Sequence, residues 1–238
     1  MQKEQISKPD WELLTKKYSE EELNNLLKTI PPQYLIGNVE FLNCQINVDK
    51  RVLIPRFETE LLVDTTIKLI NKMFSKKVDI IDLGTGSGCI AIALKKNLDA
   101  NVTALDISKD ALDLAQENAS LNNTEINFIN QSMEEELPTT YDVIISNPPY
   151  IPEDGFVENI VKANEPSIAL FAPQNGIYYY DVILKKHLKN LNNPGLIAFE
   201  IGDSEEQLLT NILKNYSVKY EFKQDLQGLT RYLFIFNE

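Results

Sequence analysis

The run Val78, Asp79, Ile80, Ile81, Asp82, Leu83 passes directly into Gly84, Thr85, Gly86, Ser87, Gly88, and this junction restricts the fold more than any other stretch of the chain. An apolar, β-branched run ending in closely spaced glycines reads as a buried strand that turns tightly into a helix. Glycines there let the backbone bend sharply and let a ligand lie against main-chain atoms, with helix N–H groups facing it. In an open α/β sheet such a turn falls at the carboxyl end of a strand, which is where ligands bind.

The rest of the chain repeats the alternation. From about residue 58 the pattern predicts a helix over 58–74, the strand 78–83, a helix Cys89–Asn97, a strand Val102–Asp106 and a helix Lys109–Leu121. Strands Ile126–Asn130 and Tyr141–Ser146 follow, then a helix near 175–191, a strand Leu196–Ile201, a helix 204–215, and strands near 217–223 and 231–236. Strands alternating with helices indicate an α/β fold with a mostly parallel sheet of seven strands covered on both faces. The last two strands leave no room for a crossover helix, so the end of the sheet is expected to be antiparallel.

Upstream, residues 11–30 carry apolar positions at helical spacing, with a capping signal at Ser19, Glu20, Glu21, Glu22 and an end at Pro31 and Pro32. Val39–Leu42 and Gln45–Val48 read as a hairpin before the turn-like Ile54, Pro55, Arg56. Three parts are therefore expected: a short helical segment over 1–30, a connecting hairpin over 31–56 and a main domain over 57–238.

Composition narrows the chemistry. No stretch approaches the roughly 18 consecutive apolar residues of a membrane span, and Met1–Gln5 lacks an apolar signal segment, which points to a cytoplasmic protein. With Cys44, Cys89 and the single histidine His187, a Cys/His zinc site has too few ligands, so metal-free chemistry is expected. The formal net charge of -12 disfavours a wide phosphate-binding surface, hence a nucleic-acid substrate. Acidic residues on a solvated surface account for the same charge.

The glycine spacing is Gly-x-Gly-x-Gly, and Cys89 stands where a dinucleotide fingerprint requires its third glycine. Asp106 ends the next strand, where a carboxylate can accept hydrogen bonds from both ribose hydroxyls of a nucleoside. Capping of the helix that starts near Ser108 is a compatible second role.

Ser146, Asn147, Pro148, Pro149, Tyr150 follow the strand 141–146 and reach the same edge of the sheet as the glycine loop. Two prolines fix φ and remove two backbone donors, leaving rigid acceptors. Methylation of an amide or amino nitrogen needs such acceptors. The Asn147 side-chain oxygen and the Pro148 carbonyl can take one N–H each, Tyr150 can pack against the planar group, and acceptors stabilise charge developing on nitrogen. Exocyclic amines of nucleobases and glutamine amides both satisfy this motif.

Gly84–Gly88 and Asp106 resemble the cofactor loop and ribose-binding acid of Rossmann-like class I S-adenosylmethionine-dependent methyltransferases. That resemblance implies that S-adenosyl-L-methionine is held by Gly84, Thr85, Gly86, Ser87, Gly88, Asp106, Ile107, Met133 and Asn147, with Ser132 and Met133 near the adenine. The wider context is similar to the release factor glutamine N5-methyltransferases. It runs through Gln33–Gly37, Val39–Phe41, Leu53–Glu60, Asp82–Gly88 and Asn147–Ile151, then Glu165, Pro166, Ala169, Leu170 and Gly176. It implies methyl transfer to the glutamine of the Gly-Gly-Gln motif in peptide chain release factors, with S-adenosyl-L-homocysteine as product. Asn147, Pro148, Pro149 and Tyr150 are then the substrate-binding residues, and Asn147, Pro148 and Tyr150 the catalytic ones. Phe57 departs from the proline usual in the family, and only about 30 residues precede the matching region, against a longer helical substrate-recognition domain in many relatives. A ribosomal-protein glutamine, a nucleobase amine, or a non-enzymatic scaffold for a translation factor are the competing readings.

Overall fold

The computed structural model describes residues 6–203 and 205–238. The expectation for Met1–Gln5, and residue 204 at the start of the predicted helix 204–215, lie outside the described residues. In chain order the elements are α1 (Lys8–Lys17), α2 (Glu20–Leu26), α3 (Pro32–Ile36), β1 (Asn38–Phe41), β2 (Cys44–Asn47), α4 (Phe57–Met73), β3 (Val78–Leu83), α5 (Cys89–Asn97) and β4 (Ala100–Asp106). Then come α6 (Lys109–Leu121), β5 (Asn127–Asn130), β6 (Tyr141–Ser146), β7 (Ile151–Pro152), α7 (Asn159–Asn164), β8 (Phe171–Ala172) and α8 (Tyr178–His187). The chain closes with β9 (Leu191–Glu200), α9 (Glu206–Leu213), β10 (Lys219–Gln224) and β11 (Thr230–Asn237).

The α/β architecture is the one expected. The main sheet has seven strands in the order β10-β11-β9-β6-β3-β4-β5. From β9 to β5 neighbouring strands are parallel, and β11 runs antiparallel to both β9 and β10. Because side chains alternate across a strand, each central strand feeds two cores. Ile80, Val143, Ile145 and Ala198 pack with α4, α5 and α6 on one face, while Ile81, Ile144, Ile197 and Phe199 pack with α8 and α9 on the other. This explains why β3 and β6 read as near-continuous apolar runs rather than alternating ones. No helix among the described residues is long and apolar enough to cross a membrane.

At the N-terminus, the single helical run expected over 11–30 is broken in two. The Ser19 hydroxyl accepts from Glu22 N at 3.3 Å and the Glu22 carboxylate from Ser19 N at 2.9 Å, a capping box that starts α2 afresh after an extended Tyr18. Pro31 follows that region as expected, but Pro32 opens α3, since proline suits the first turn of a helix, where its missing N–H has no partner to lose. Leu14, Leu23, Leu27 and Leu35 form a small core of their own across these helices. The hairpin is shifted by one residue from the expected runs. Its two-residue loop, Leu42 and Asn43, takes φ of 45° and 62°, the twist-matched turn for antiparallel strands.

That hairpin is clamped to α6 by two asparagines one turn apart. Asn118 accepts from Asn47 N at 2.8 Å and donates back to Asn47 O at 3.0 Å; Asn122 does the same with Gln45 N at 3.1 Å and Gln45 O at 2.8 Å. The amides thus pair the outer edge of β2 as another strand would. The segment after β2 is thereby held over the carboxyl edge of the main sheet.

Two stretches differ from the sequence-based expectation. Strands β7 and β8 form a two-stranded parallel sheet of their own, with Ile151 opposite Phe171, and α7 lies between them. None is long enough to show a period, and β7 and β8 exist only because remote segments pair. Strand β9 begins at Leu191 rather than Leu196. The turn-like Asn192, Asn193, Pro194 and Gly195 bulge out between the Leu191–Tyr141 and Leu196–Val143 pairs with β6, and Asn192 donates to the buried Asp142 carboxylate at 2.9 Å.

Candidate active site

Strands β3, β4 and β5 are laid down in one direction across the sheet, and β6 then returns to the other side of β3. The carboxyl ends of β3 and β6 therefore splay apart at a topological switch point, where open α/β sheets form their ligand crevice. The glycine loop leaves β3 on one side of it and Asn147–Tyr150 leave β6 on the other. Ser146 ties the two sides together by donating to Leu83 O at 2.6 Å.

One cavity in this crevice, about 200 Å³, is lined by Gly84, Gly86, Asp106, Ile107, Met133, Asn147 and Pro149 among others. Gly84 has φ of 74°, and a Cβ there would come within 2.9 Å of Met133 Cε, so the bare Cα lets that side chain close the wall. Thr85 and Ser87 are buried behind the loop: the Thr85 hydroxyl donates to Asp82 at 2.6 Å, and Ser87 O accepts from Asn118 at 2.9 Å. Gly88, at φ 81°, caps α5 where a Cβ would meet Ala115 of α6 at 3.1 Å, so it serves helix packing. Burial pushes the Asp82 carboxyl up to about 7.

Four N–H groups of the glycine loop are bonded within the protein. Gly84 N and Thr85 N both donate to Leu105 O, Gly88 N to Thr85 O, and Gly86 N to the Asp106 carboxylate at 2.8 Å. A pyrophosphate would need these donors free. Asp106 accepts Gly86 N on one oxygen and Ser108 N on the other, at 2.9 Å, which leaves each oxygen a further lone pair. Burial raises its carboxyl above the ordinary range, against the pull of those backbone donors. Between Leu105, Ile107, Met133 and Ala111 the walls are apolar. The site fits a flat base with vicinal ribose hydroxyls and no phosphate, which is the nucleoside half of S-adenosylmethionine.

With Asp106 read as the acceptor for the two ribose hydroxyls, its loss removes both hydrogen bonds. Asp106→Ala is expected to raise the cofactor Kd on the order of 10²-fold, the size of one or two charge-assisted hydrogen bonds. Calorimetry on the purified variant checks this, and an unchanged Kd would contradict the role.

A second cavity adjoins the first. Leu53, Arg56, Tyr150, Phe156, Val161 and Leu170 contribute to its lining, and Asn147 lines both cavities. Pro148 is buried and lines neither of the two, while Pro149 faces the first and Tyr150 the second. The far wall comes from the excursion around α7, held to the strap after β2 by Glu165. This buried carboxylate accepts from Ile54 N at 3.1 Å and from the Arg56 guanidinium at 2.6 Å. Asn164 next to it donates to Thr29 O at 2.7 Å, which ties the N-terminal helices to the same wall.

Behind Asn147 stands a chain of polar groups that motif reading passed over. Asn147 Nδ2 donates to Thr59 Oγ1 at 3.1 Å, and Thr59 Oγ1 donates to Glu200 Oε2 at 2.7 Å. Tyr150 Oη lies 3.4 Å from Glu200 Oε1. Burial pushes the Glu200 carboxyl up to about 7, against the stabilising Thr59 hydroxyl, and together with Glu200 it drives the Tyr150 phenol above its usual range. Thr59 carried one visible signal, its place in the Phe57–Glu60 stretch; Glu200 ends a strand and carried none. Arg51, Glu134, Ile168 and Tyr179 also line the first cavity and were not anticipated. Glu134 supplies a carboxylate two residues beyond Ser132.

Residues 58–165 match the methyltransferase small domain family. Among solved structures, the ribosomal protein L11 methylase from Lactobacillus delbrueckii subsp. bulgaricus superposes with a TM-score of 0.57 at 22% identity, over 79% of this chain and 81% of that one, which establishes the shared fold. The release factor glutamine methyltransferase of Flavobacterium psychrophilum is 40% identical, with 84% of this chain and 73% of the relative covered. That of Lactococcus lactis is 38% identical over 88% of this chain and 81% of the relative. At that identity and coverage, with a nucleoside-shaped cleft beside a rigid Asn-Pro-Pro-Tyr segment, this chain belongs to the release factor glutamine methyltransferases, enzymes that use S-adenosylmethionine.

Proposed function

We propose that this chain methylates the side-chain amide nitrogen of the glutamine in the Gly-Gly-Gln motif of peptide chain release factors, in the cytoplasm, as part of translation termination. One observation supports it most: Asn147 belongs to both cavities, so the acceptor oxygen it offers lies where a nucleoside-bound methyl donor and a planar amide would meet. Bound in the first cavity through Asp106, Ile107 and Met133, S-adenosylmethionine supplies an electrophilic methyl group.

A glutamine amide nitrogen is a weak nucleophile because its lone pair is delocalised into the carbonyl. What the protein can do is hold it. Asn147 Oδ1 accepts one N–H and the carbonyl of the adjoining Pro148, a residue buried beside the two cavities rather than lining them, is assigned the other, which fixes the nitrogen's face toward the donor and stabilises positive charge as it develops there. Tyr150 packs against the amide plane, and Pro149 narrows the passage between the cavities. An N-methylated amide cation is strongly acidic, so its proton leaves to water without a dedicated base.

The N-terminal helical segment over residues 1–30, described from residue 6, we assign to gripping the release factor. Residues 31–56, with the β1–β2 hairpin, link it to the methyltransferase domain, which we assign to residues 57–238. The Asn164 to Thr29 bond supports this, since it couples those helices to the wall of the acceptor cavity.

Incubation with labelled cofactor and a bacterial release factor tests the proposal. Label is expected on the wild-type factor and to fall to background when the Gly-Gly-Gln glutamine is replaced. Equal labelling of both would overturn it.

A further inference from the structure

We infer that Thr59 and Glu200 form a polarity relay that sets which end of the Asn147 amide faces the acceptor nitrogen. This rests on Asn147 being the acceptor. The relay itself follows from counting protons.

A carboxamide has one end that accepts and one that donates, and the two differ little in shape. Nothing in a proline-flanked turn selects between them. If the amide sat the other way round, it would offer N–H to a substrate N–H, and the site would repel the group it must hold. Some neighbour must therefore break the symmetry.

Glu200, at the end of β9 and 2% exposed, does so at one remove. In its ionised form, which prevails above the pH of about 7 to which burial raises this carboxyl, Glu200 only accepts, so Thr59 Oγ1, 2.7 Å from Oε2, spends its single proton there. The hydroxyl is then left with lone pairs alone, and it can pair with Asn147 only by accepting from Nδ2, at 3.1 Å. The nitrogen end is drawn toward Thr59 and Oδ1 is turned away from it, free to accept. Thr59 is 3% exposed, so water does not compete for either bond. The other Glu200 oxygen meets Tyr150 Oη, 3.4 Å away, so one carboxylate orders both side chains of the acceptor site.

The three partners come from α4, β6 and β9, remote in sequence. Thr59 lies in the first turn of α4 and is buried, and valine differs from it mainly by replacing the hydroxyl with a methyl. Valine preserves the volume and abolishes the relay, while serine keeps the hydroxyl.

These are positioning residues, and the experiment separates position from binding. For Thr59→Val, kcat on a release factor is expected to fall on the order of 10²-fold, the penalty of a misaligned reacting group. Cofactor Kd and the KM for the release factor should stay within about threefold of wild type, set as they are elsewhere in the cleft. Thr59→Ser should recover most of the lost rate. Glu200→Gln, which can donate to Thr59 as well as accept, should lower kcat with the same KM pattern and carries the test if Thr59→Val folds poorly. Wild-type kcat in Thr59→Val while Asn147→Ala is inactive overturns the relay alone. A Thr59→Ser as impaired as Thr59→Val overturns it too, because packing rather than the hydroxyl would then matter. Full turnover by Asn147→Ala overturns the acceptor assignment, and the relay with it.

Discussion

Asn147→Ala is expected to lower kcat for release factor methylation by about 10²–10³-fold, the loss seen when one preorganised hydrogen-bonding group is removed from a site of developing charge. The direction follows from what the side chain does in the ground state and in the transition state. In the proposed complex its oxygen accepts one neutral amide N–H in the ground state. As the nitrogen takes on the methyl group, that N–H becomes cationic and the same bond strengthens, so the loss falls mainly on kcat. Alanine also leaves the Thr59 hydroxyl without its donor, a smaller effect confined to the interior. Asn147 also lines the first cavity, but Asp106 carries the ribose acceptors proposed there, so cofactor affinity should change far less than kcat, by about threefold or less. Steady-state rates with a release factor, paired with calorimetry for the cofactor, distinguish the two. Retained turnover would remove the acceptor role, and a matching collapse in cofactor affinity would reassign Asn147 to binding.

Gly176→Ala is expected to be the most damaging single methyl group in the chain. Gly176 has φ of 91°, and a Cβ there would lie 2.5 Å from Glu205 Oε1 and closer still to the Tyr150 carbonyl oxygen. The backbone conformation alone costs an L-residue about 1–2 kcal/mol, and forced overpacking adds about 1–3 kcal/mol. A destabilisation of about 2–5 kcal/mol follows, or roughly 5–15 °C in Tm for a domain of this size. Relief of the clash can come only by moving the backbone of Tyr150 or the Glu205 carboxylate, whose Oε2 accepts from Gly202 N at 2.8 Å. Activity should therefore fall further than stability explains. Gly228 is the control, with φ of 83° and no atom within 4 Å of a Cβ: Gly228→Ala should lose only the backbone share, about 1 kcal/mol. Urea unfolding of both variants separates strain from collision, and equal losses would show that the contact with Tyr150 carries no weight.

Both effects bear on how much of the molecule could be read in the chain alone. The Val78–Leu83 run with its glycine loop, the acid at Asp106 and the Asn147–Tyr150 turn are local signals. Each depends on residues a few positions apart and on backbone rules that hold in any context. They placed the sheet, its main strands and two sides of the crevice, and the helices that flank them ended within a few residues of expectation. That the N–H groups of Gly84, Thr85 and Gly86 are spent on Leu105 and Asp106 was decided by the tertiary structure.

The sequence by itself determined the alternation of strand and helix, and with it the edge at which a ligand must bind, because periodicity and turn chemistry act over short distances. Tertiary structure alone decided which groups meet at that edge. The Thr59, Asn147 and Glu200 chain joins elements 88 and 141 residues apart as measured from Thr59, and Glu165 reaches 111 residues back to Ile54. Neither β7 nor β8 exists without its partner, and the sense of the Asn147 amide depends on a buried carboxylate at the end of another strand. Such contacts carry no period and no motif. They arise only when packing brings distant polar groups out of water together, where an unmatched donor or acceptor is costly enough to select a single arrangement.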